Sequence, residues 1–214
     1  MRKAALAAAA LVLFGAAGCG DNSDATVGGI LLAQADGLTD APEGVDLAVD
    51  LDTIDKAVIP AGAKVVRLAI GRKVHWNQVQ ALAARVVAAG ARPIYLAGNW
   101  KKIRAFAIED SWPGGNRAIT ITDYVDGKAC IQPPGSIEAK CVQSATKTYI
   151  EEAYVRELVR EQVKMFDLPL VEVDLPASLA WADVVRTIDG ARTCCEGTTV
   201  RVRLKPPAPA DADQ

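Results

Sequence analysis

Four cysteines in the second half of the chain are the residues whose chemistry is easiest to foresee: Cys130, Cys141, Cys194 and Cys195. In an oxidising compartment an even number of cysteines indicates disulfides, and four cysteines permit three pairings. Cys130 and Cys141 bracket a proline-containing loop, whereas the other two follow the last predicted helix. We therefore predict at least one bridge from that loop to Cys194 or Cys195, and we regard a vicinal bridge as the strained alternative. A free Cys194 or Cys195 would instead indicate a hydrolase or a thiol-redox protein.

The remaining reactive residues do not form a recognisable catalytic or metal-binding pattern. His75 is the only histidine and no C-x-x-C spacing occurs, so the sequence does not indicate a zinc site. No G-x-S-x-G, H-E-x-x-H, P-loop or G-x-G-x-x-G motif is present. His75 precedes Trp76 at a predicted helix start, where we expect it to act as a cap or surface residue. The prediction is a non-enzymatic protein without a metal or cofactor.

Two tryptophans are candidate ligand contacts because they lie in segments that resemble loops. Trp100 precedes Lys101 and Lys102, and Trp112 lies among turn residues. Aromatic rings beside cations would suit an anionic glycan. Lysines whose stems cover apolar surface explain the same pattern equally well. The net charge of −2 argues against a nucleic-acid partner, which would favour a basic face.

The N-terminus has the pattern of an export signal. Two basic residues precede an apolar run at 4–14, which is too short to span a ~30 Å hydrocarbon core reliably. The small residues before Cys19 resemble a bacterial lipobox, although Ala16 replaces the more usual leucine. We predict a signal peptide at 1–18 and a lipid on Cys19. The alternative is ordinary signal-peptidase cleavage, with Cys19 incidental.

A lipid on Cys19 would anchor the mature chain in a membrane of the cell envelope, facing the periplasm. Gly20 follows the cysteine, and aspartate at that place is the familiar signal for retention in the inner membrane of enteric bacteria. The outer membrane is therefore the preferred location. The segment 19–44 is expected to be a lipidated linker that contains one strand at most.

An internal repeat sets the expected architecture. In each copy a strand precedes a helix that opens on a tryptophan, Trp76 or Trp181, and a second strand follows a glycine, Gly90 or Gly197. We predict an α/β (α+β, two-layer) protein of two small units, each a sheet with helices on one face and built on a right-handed strand–helix–strand crossover. The predicted strands are 65–70, 93–96, 170–175 and 200–204. The predicted divisions are a first unit at 45–110, a second at 111–205 and a disordered tail at 206–214.

Three further local predictions concern the second unit. Asp126-Gly127 is a strong signal for a β-hairpin turn. The sequence from Thr148 to Glu151 has the form of a capping box that opens a helix. Only one face of the last strands is apolar, so Glu172 is expected to pair with an arginine on the wet face.

The second unit resembles the periplasmic domain of the ExbD/TolR family. Its predicted order of strand, hairpin turn, helix, strand, helix and strand is similar to that domain, and Trp181, Val184, Val185 and Asp189 match the family's last helix. The first unit keeps Trp76, Val79 and Gly90 of the same segment, with Ala84 in place of the aspartate.

This resemblance implies a part in biopolymer transport or envelope integrity. ExbD and TolR also carry a transmembrane helix with a coupling aspartate, whereas the apolar run at 4–14 contains no carboxylate, so motor activity is not expected here. The role that the resemblance leaves is that of a binding or scaffold module. Its partners would be envelope proteins or peptidoglycan, and it leaves room for a homodimer.

Overall fold

The computed structural model describes residues 24–100, 102–108, 118–124, 126–145 and 150–204. Several predicted features lie outside these residues: the signal peptide, Cys19, Lys101, Trp112, Thr148 and the tail. The described chain is a mixed α/β protein with three α-helices and three sheets of two, five and five strands. No helix among these residues has the length and apolarity to cross a lipid bilayer.

The first unit is a five-stranded sheet with one long helix. Its elements are β1 Thr26–Val27, β2 Ile30–Leu31, β3 Leu38–Thr39, β4 Val45–Val49, a 3-10 turn at Ile54–Lys56, β5 Val65–Ile70, α1 Trp76–Ala88, β6 Arg92–Asn99 and β7 Lys102–Phe106. The sheet order is β3-β7-β6-β5-β4, with β4, β5 and β6 parallel and the other pairs antiparallel. The predicted helix and the strands on either side of it are confirmed.

Alternation along β5 explains why this sheet has two buried faces. Val66 and Leu68 point toward α1, whose Val79, Leu82 and Val86 recur at helical spacing and are fully buried. Gly90 ends the helix with a φ of 79°, the left-handed conformation that glycine adopts without strain.

The segment that we expected to be a linker covers the other face of this sheet. Residues 24–39 form three short strands instead of one at most. Ala25 and Leu32 pack on Ala69 and Leu96 in a separate apolar cluster. One helix, α1, lies on one face of the first sheet, but the opposite face is covered by this N-terminal segment.

The second unit is a five-stranded sheet with two helices. Its elements are β8 Ile119–Asp123, β9 Lys128–Gln132, β10 Lys140–Gln143, α2 Glu152–Phe166, β11 Leu170–Asp174, α3 Trp181–Arg192 and β12 Arg201–Leu204. The order is β10-β9-β8-β11-β12, with β8, β11 and β12 parallel. The hairpin at Asp126-Gly127 is confirmed, since β8 and β9 pair antiparallel.

One face of the second sheet carries the helices and the other is polar, as the alternation predicts. Glu172 lies opposite Arg203 in the β11–β12 register, and the Arg203 Nε donates to Glu172 at 2.8 Å. The predicted capping box is wrong in its register. The helix begins at Glu152, and Glu151 is the N-cap in extended backbone, with no hydrogen bond from its side chain.

A two-fold pseudosymmetric contact joins the two units at the helix starts. The Trp76 amide donates to Leu179 O at 2.8 Å, and the Trp181 amide donates to Val74 O at 2.7 Å. A second reciprocal pair of bonds, from Asn77 to Ala177 and from Ala182 to Arg72, flanks the first pair. The same positions of the repeat thus meet from both sides, as in an isologous dimer interface.

The two tryptophans complete this contact. Trp76 and Trp181 are 4% and 0% exposed, and their rings stack with centroids 6.3 Å apart. Trp181 also contacts Tyr95 and Phe106 of the first sheet. Both tryptophans therefore pack in the interior, and a single apolar core runs through both units.

Candidate functional site

The cysteines pair differently from our prediction. Cys130 bonds Cys141, and Cys194 bonds Cys195, so the predicted bridge from the loop to the last helix is wrong. The reason lies in the sheet: β9 and β10 pair antiparallel, and their register sets Cys141 directly opposite Cys130 with Cα atoms 4.0 Å apart. Cysteines that face each other directly on paired antiparallel strands are close enough to be bridged.

The vicinal pair lies in the wall of a groove of about 860 Å³. One side of the groove is α2 from Arg156 onward, and the other is the turn that follows α3. Its lining residues are Arg156, Arg160, Val163, Lys164, Asp167, Pro169, Thr193, Cys194, Cys195, Glu196 and Thr198. We call this feature the α2–α3 groove.

Helical spacing produces the basic side of the α2–α3 groove. Arg156, Arg160 and Lys164 recur every four residues and therefore project from one face of α2. Arg160 also fixes the opposite wall, because its Nε donates to Cys194 O at 2.9 Å. Asp167, which follows α2, and Glu196, in the turn after α3, also line the groove and add carboxylates to it. Such a mixture of fixed cations and acceptors suits a polar ligand with anionic groups.

A carboxylate cluster lies beside the first turn of α2. Oxygens of Asp36, Glu152 and Asp189 lie within 4.8 Å of one another. Arg156 forms an ion pair with Glu152 and lies 4.0 Å from Asp36. Burial and the neighbouring Asp189 raise the pKa of Glu152. The arginine thus supplies positive charge to the cluster from within the protein.

Asp189 has a structural task that the sequence did not reveal. Its two oxygens accept the amides of Asp36 and Gly37, each at 2.7 Å. Arg192 donates to Gly37 O. Burial raises the pKa of Asp189, and the two backbone amides oppose that rise. A completely buried carboxylate on α3 thereby fixes the N-terminal segment to the second unit.

Asp123 is the second buried carboxylate of the second unit. It ends β8, is 2% exposed, and accepts hydrogen bonds from the Thr187 hydroxyl and the Tyr124 amide. Burial raises the pKa of Asp123 to about 6, although both hydrogen bonds favour the charged form. Its protonation therefore changes near pH 6.

The predicted ligand contacts lie elsewhere in the fold. Trp100 is at the tip of the β6–β7 hairpin, is 77% exposed and has a φ of 53°. The two-residue turn between Asn99 and Lys102 sets this left-handed conformation, which costs a bulky residue about 1–3 kcal/mol. Lys102 is exposed beside it. His75 is exposed and caps α1, with Gln78 Oε1 accepting its amide at 3.3 Å, as expected.

Sequence reasoning missed the α2–α3 groove as a site. The signal was the four-residue spacing of Arg156, Arg160 and Lys164, which is equally typical of an ordinary solvated helix face. The turn with Cys194 and Cys195 meets that face only in the folded chain.

Comparison of the chain with family models, with curated proteins and with solved structures finds no match.

Proposed function

We propose that the protein is a non-enzymatic lipoprotein of the bacterial cell envelope that acts as a binding or scaffold module. The observation that carries the proposal is the element order of residues 118–204: three antiparallel strands, β8, β9 and β10, followed by a helix, a strand, a helix and a strand. Apart from the additional strand β10, this is the order expected for an ExbD/TolR-like periplasmic domain. The matched helix start at Trp181 supports the same family, and the right-handed crossovers remain part of the proposal.

The lipid on Cys19 tethers the chain to a membrane, with the outer membrane preferred. Mass spectrometry of the mature N-terminal peptide tests this step, together with fractionation of inner and outer membranes. We expect a diacylglyceryl-modified Cys19 at the mature N-terminus. An unmodified Cys19, or cleavage at another position, contradicts the tether.

The α2–α3 groove is the surface on which we place the partner contact. Crosslinking of the full chain in an envelope extract, with sedimentation on purified peptidoglycan in parallel, tests for envelope proteins and for the cell wall. Lys164→Glu reverses one exposed charge of the groove and is expected to reduce capture. Lys73→Glu, at an exposed position of the first unit, is the matched control. Equal capture by both variants contradicts the groove, and no capture by the folded wild type contradicts a binding module.

The alternative function is that of an envelope hydrolase or thiol-redox protein using Cys194 or Cys195. The bridge between these cysteines favours the redox form of this alternative, because a disulfide sulfur is not available as a nucleophile. Thiol titration of the native protein discriminates between the functions. A free thiol of low pKa supports a cysteine enzyme, whereas rapid thioredoxin-dependent turnover of the bridge supports a redox protein.

A further inference from the structure

The tip of the β6–β7 hairpin displays apolar surface where the chain has no structural need for it. Trp100 is 77% exposed in a left-handed conformation, and Ile103 is 43% exposed nearby. Single exposed apolar residues are ordinary on a protein surface. A large, exposed aromatic ring at a two-residue hairpin turn is not ordinary, because the positive φ of such a turn favours Asn, Asp or Gly, and it indicates a contact made outside the chain.

This tip lies beside the place where the N-terminal segment enters the fold. A Cβ added to Gly98 would lie 2.8 Å from the Ala25 side chain. Asp24, one residue earlier, pairs with Arg72 at 3.3 Å. Ile103 is directly opposite Gly98 in the β6–β7 register, so its side chain lies on the face where Ala25 packs. The entry point and the exposed apolar residues therefore share one end of the sheet.

The length of chain before this point limits how far a lipid could be. Cys19 lies five residues before Asp24, which corresponds to at most about 18 Å of extended chain. Trp100 follows Gly98 by two residues, at most about 7 Å along the strand. A lipid attached to Cys19 would hold this end of the first sheet close to the bilayer.

We propose that Trp100, Lys102 and Ile103 dock on the phospholipid bilayer in which the Cys19 lipid is inserted. The proposal rests on the lipidation in the proposed function and adds a protein contact that orients the tethered domain. The indole ring suits the boundary between headgroups and acyl chains, because it is apolar with one polar N–H. The Lys102 ammonium reaches phosphate groups while its stem remains in the apolar layer. Trp100 thereby finds the apolar partner that its exposed position lacks.

Quenching of tryptophan fluorescence by brominated acyl chains tests the docking. The probe is a vesicle of phosphatidylcholine and phosphatidylglycerol carrying brominated chains, in which the mature lipidated protein is reconstituted. We expect quenching in the wild type and loss of most of it in Trp100→Phe. Trp76 and Trp181 are buried, so they contribute little to the difference between the two proteins.

A tryptophan at the other end of the sheet provides the matched control. Val58 is 82% exposed and precedes β5, whose start lies beside the start of β6, opposite the hairpin tip. Adding Val58→Trp to Trp100→Phe is expected to leave the quenching low. Quenching that returns in this double variant shows general contact with the bilayer and overturns the docking.

Analysis of the N-terminal peptide from the same preparation separates this proposal from the tether. A lipidated Cys19 without Trp100-dependent quenching overturns the docking and leaves the lipoprotein intact. An unmodified Cys19 overturns both. Trp100 emission that is unchanged by lipid but shifted by a soluble anionic glycan shows a glycan contact at the tip and likewise overturns the docking.

Discussion

Trp76 and Trp181 stack across the boundary between two copies of one strand–helix–strand repeat, with their ring planes 14° apart. The backbone amide of each tryptophan donates to the other copy, two residues before the partner tryptophan. The repeat is therefore a packing device as well as a sequence pattern. One copy completes the core of the other, which explains why neither unit buries its tryptophan alone.

Truncation of Trp181 is expected to destabilise the whole protein. Trp181→Ala empties a fully buried site between the units and should lower the free energy of unfolding by about 3–5 kcal/mol, as measured by urea denaturation. Trp181→Phe should cost less, since the indole N–H has no acceptor among the described residues. Trp100→Ala, at an exposed position, should stay within about 0.5 kcal/mol of the wild type. Two separate unfolding transitions in the wild type would contradict a shared core.

The strands and helices with strong periodicity were predictable, whereas short pairings were not. The alternation in β5 and β11 and the three- and four-residue spacing in α1 place these elements correctly. In β1, β2 and β3 two residues each are too few to show a period. The segment that contains them is held by Asp189, which accepts the amides of Asp36 and Gly37 from the opposite end of the described chain.

The cysteine pairing was missed because β10 was missed. Its four residues Lys140–Gln143 show no apolar alternation, so the sequence pattern there indicates a loop. Without that strand, the sequence offers no reason for Cys130 and Cys141 to face each other. The α2–α3 groove was missed for a related reason, since its walls come from segments that are far apart along the chain. Local sequence patterns predict helices and strands, whereas the disulfide pairing and the groove depend on contacts between segments that are distant along the chain.

Asp123 predicts a pH dependence of stability. Its pKa is about 6 in the folded chain, above the ordinary value of 3.8, so the folded state binds the proton more tightly than the unfolded chain. The stabilising contribution of Asp123 is fully present below about pH 4 and is lost as the pH rises through about 6. Asp123→Asn should therefore be stabilising at pH 7.5, by at most about 3 kcal/mol, with the gain shrinking toward pH 4.

Urea denaturation at a series of pH values measures this effect, with Thr187→Val as the companion variant. The Thr187 hydroxyl lowers the pKa of Asp123. Removing the hydroxyl should therefore raise the pKa of Asp123 further, so the loss of stability should extend to higher pH than in the wild type. If the stabilities of the wild type and of Asp123→Asn rise by the same amount between pH 4 and 7.5, a role for this carboxyl is contradicted.

We predict that replacing the Asp189 side chain detaches the N-terminal segment from the second unit. Asp189→Ala removes both acceptors of the Asp36 and Gly37 amides, and each bond to a charged group contributes about 1.5–3 kcal/mol. We expect rapid hydrogen exchange and proteolysis within residues 24–39, while α1 and β5 remain protected. Asp46→Ala, which breaks only an ion pair with Arg67, is the control. Equal protection of the segment in both variants would contradict the role of Asp189.

The two disulfides are expected to contribute unequally to stability. Cys130–Cys141 closes a loop of 11 residues, so its replacement by two serines should cost about 3 kcal/mol in the chain-entropy model. Cys194–Cys195 joins neighbours in sequence and restricts the unfolded chain very little, so the corresponding double serine variant should unfold at nearly the wild-type urea concentration. Peptide mapping without reduction should recover Cys130 with Cys141 and an internally bridged Cys194–Cys195 peptide. A peptide that links Cys130 or Cys141 to Cys194 would show that the register of β9 and β10 does not decide the pairing.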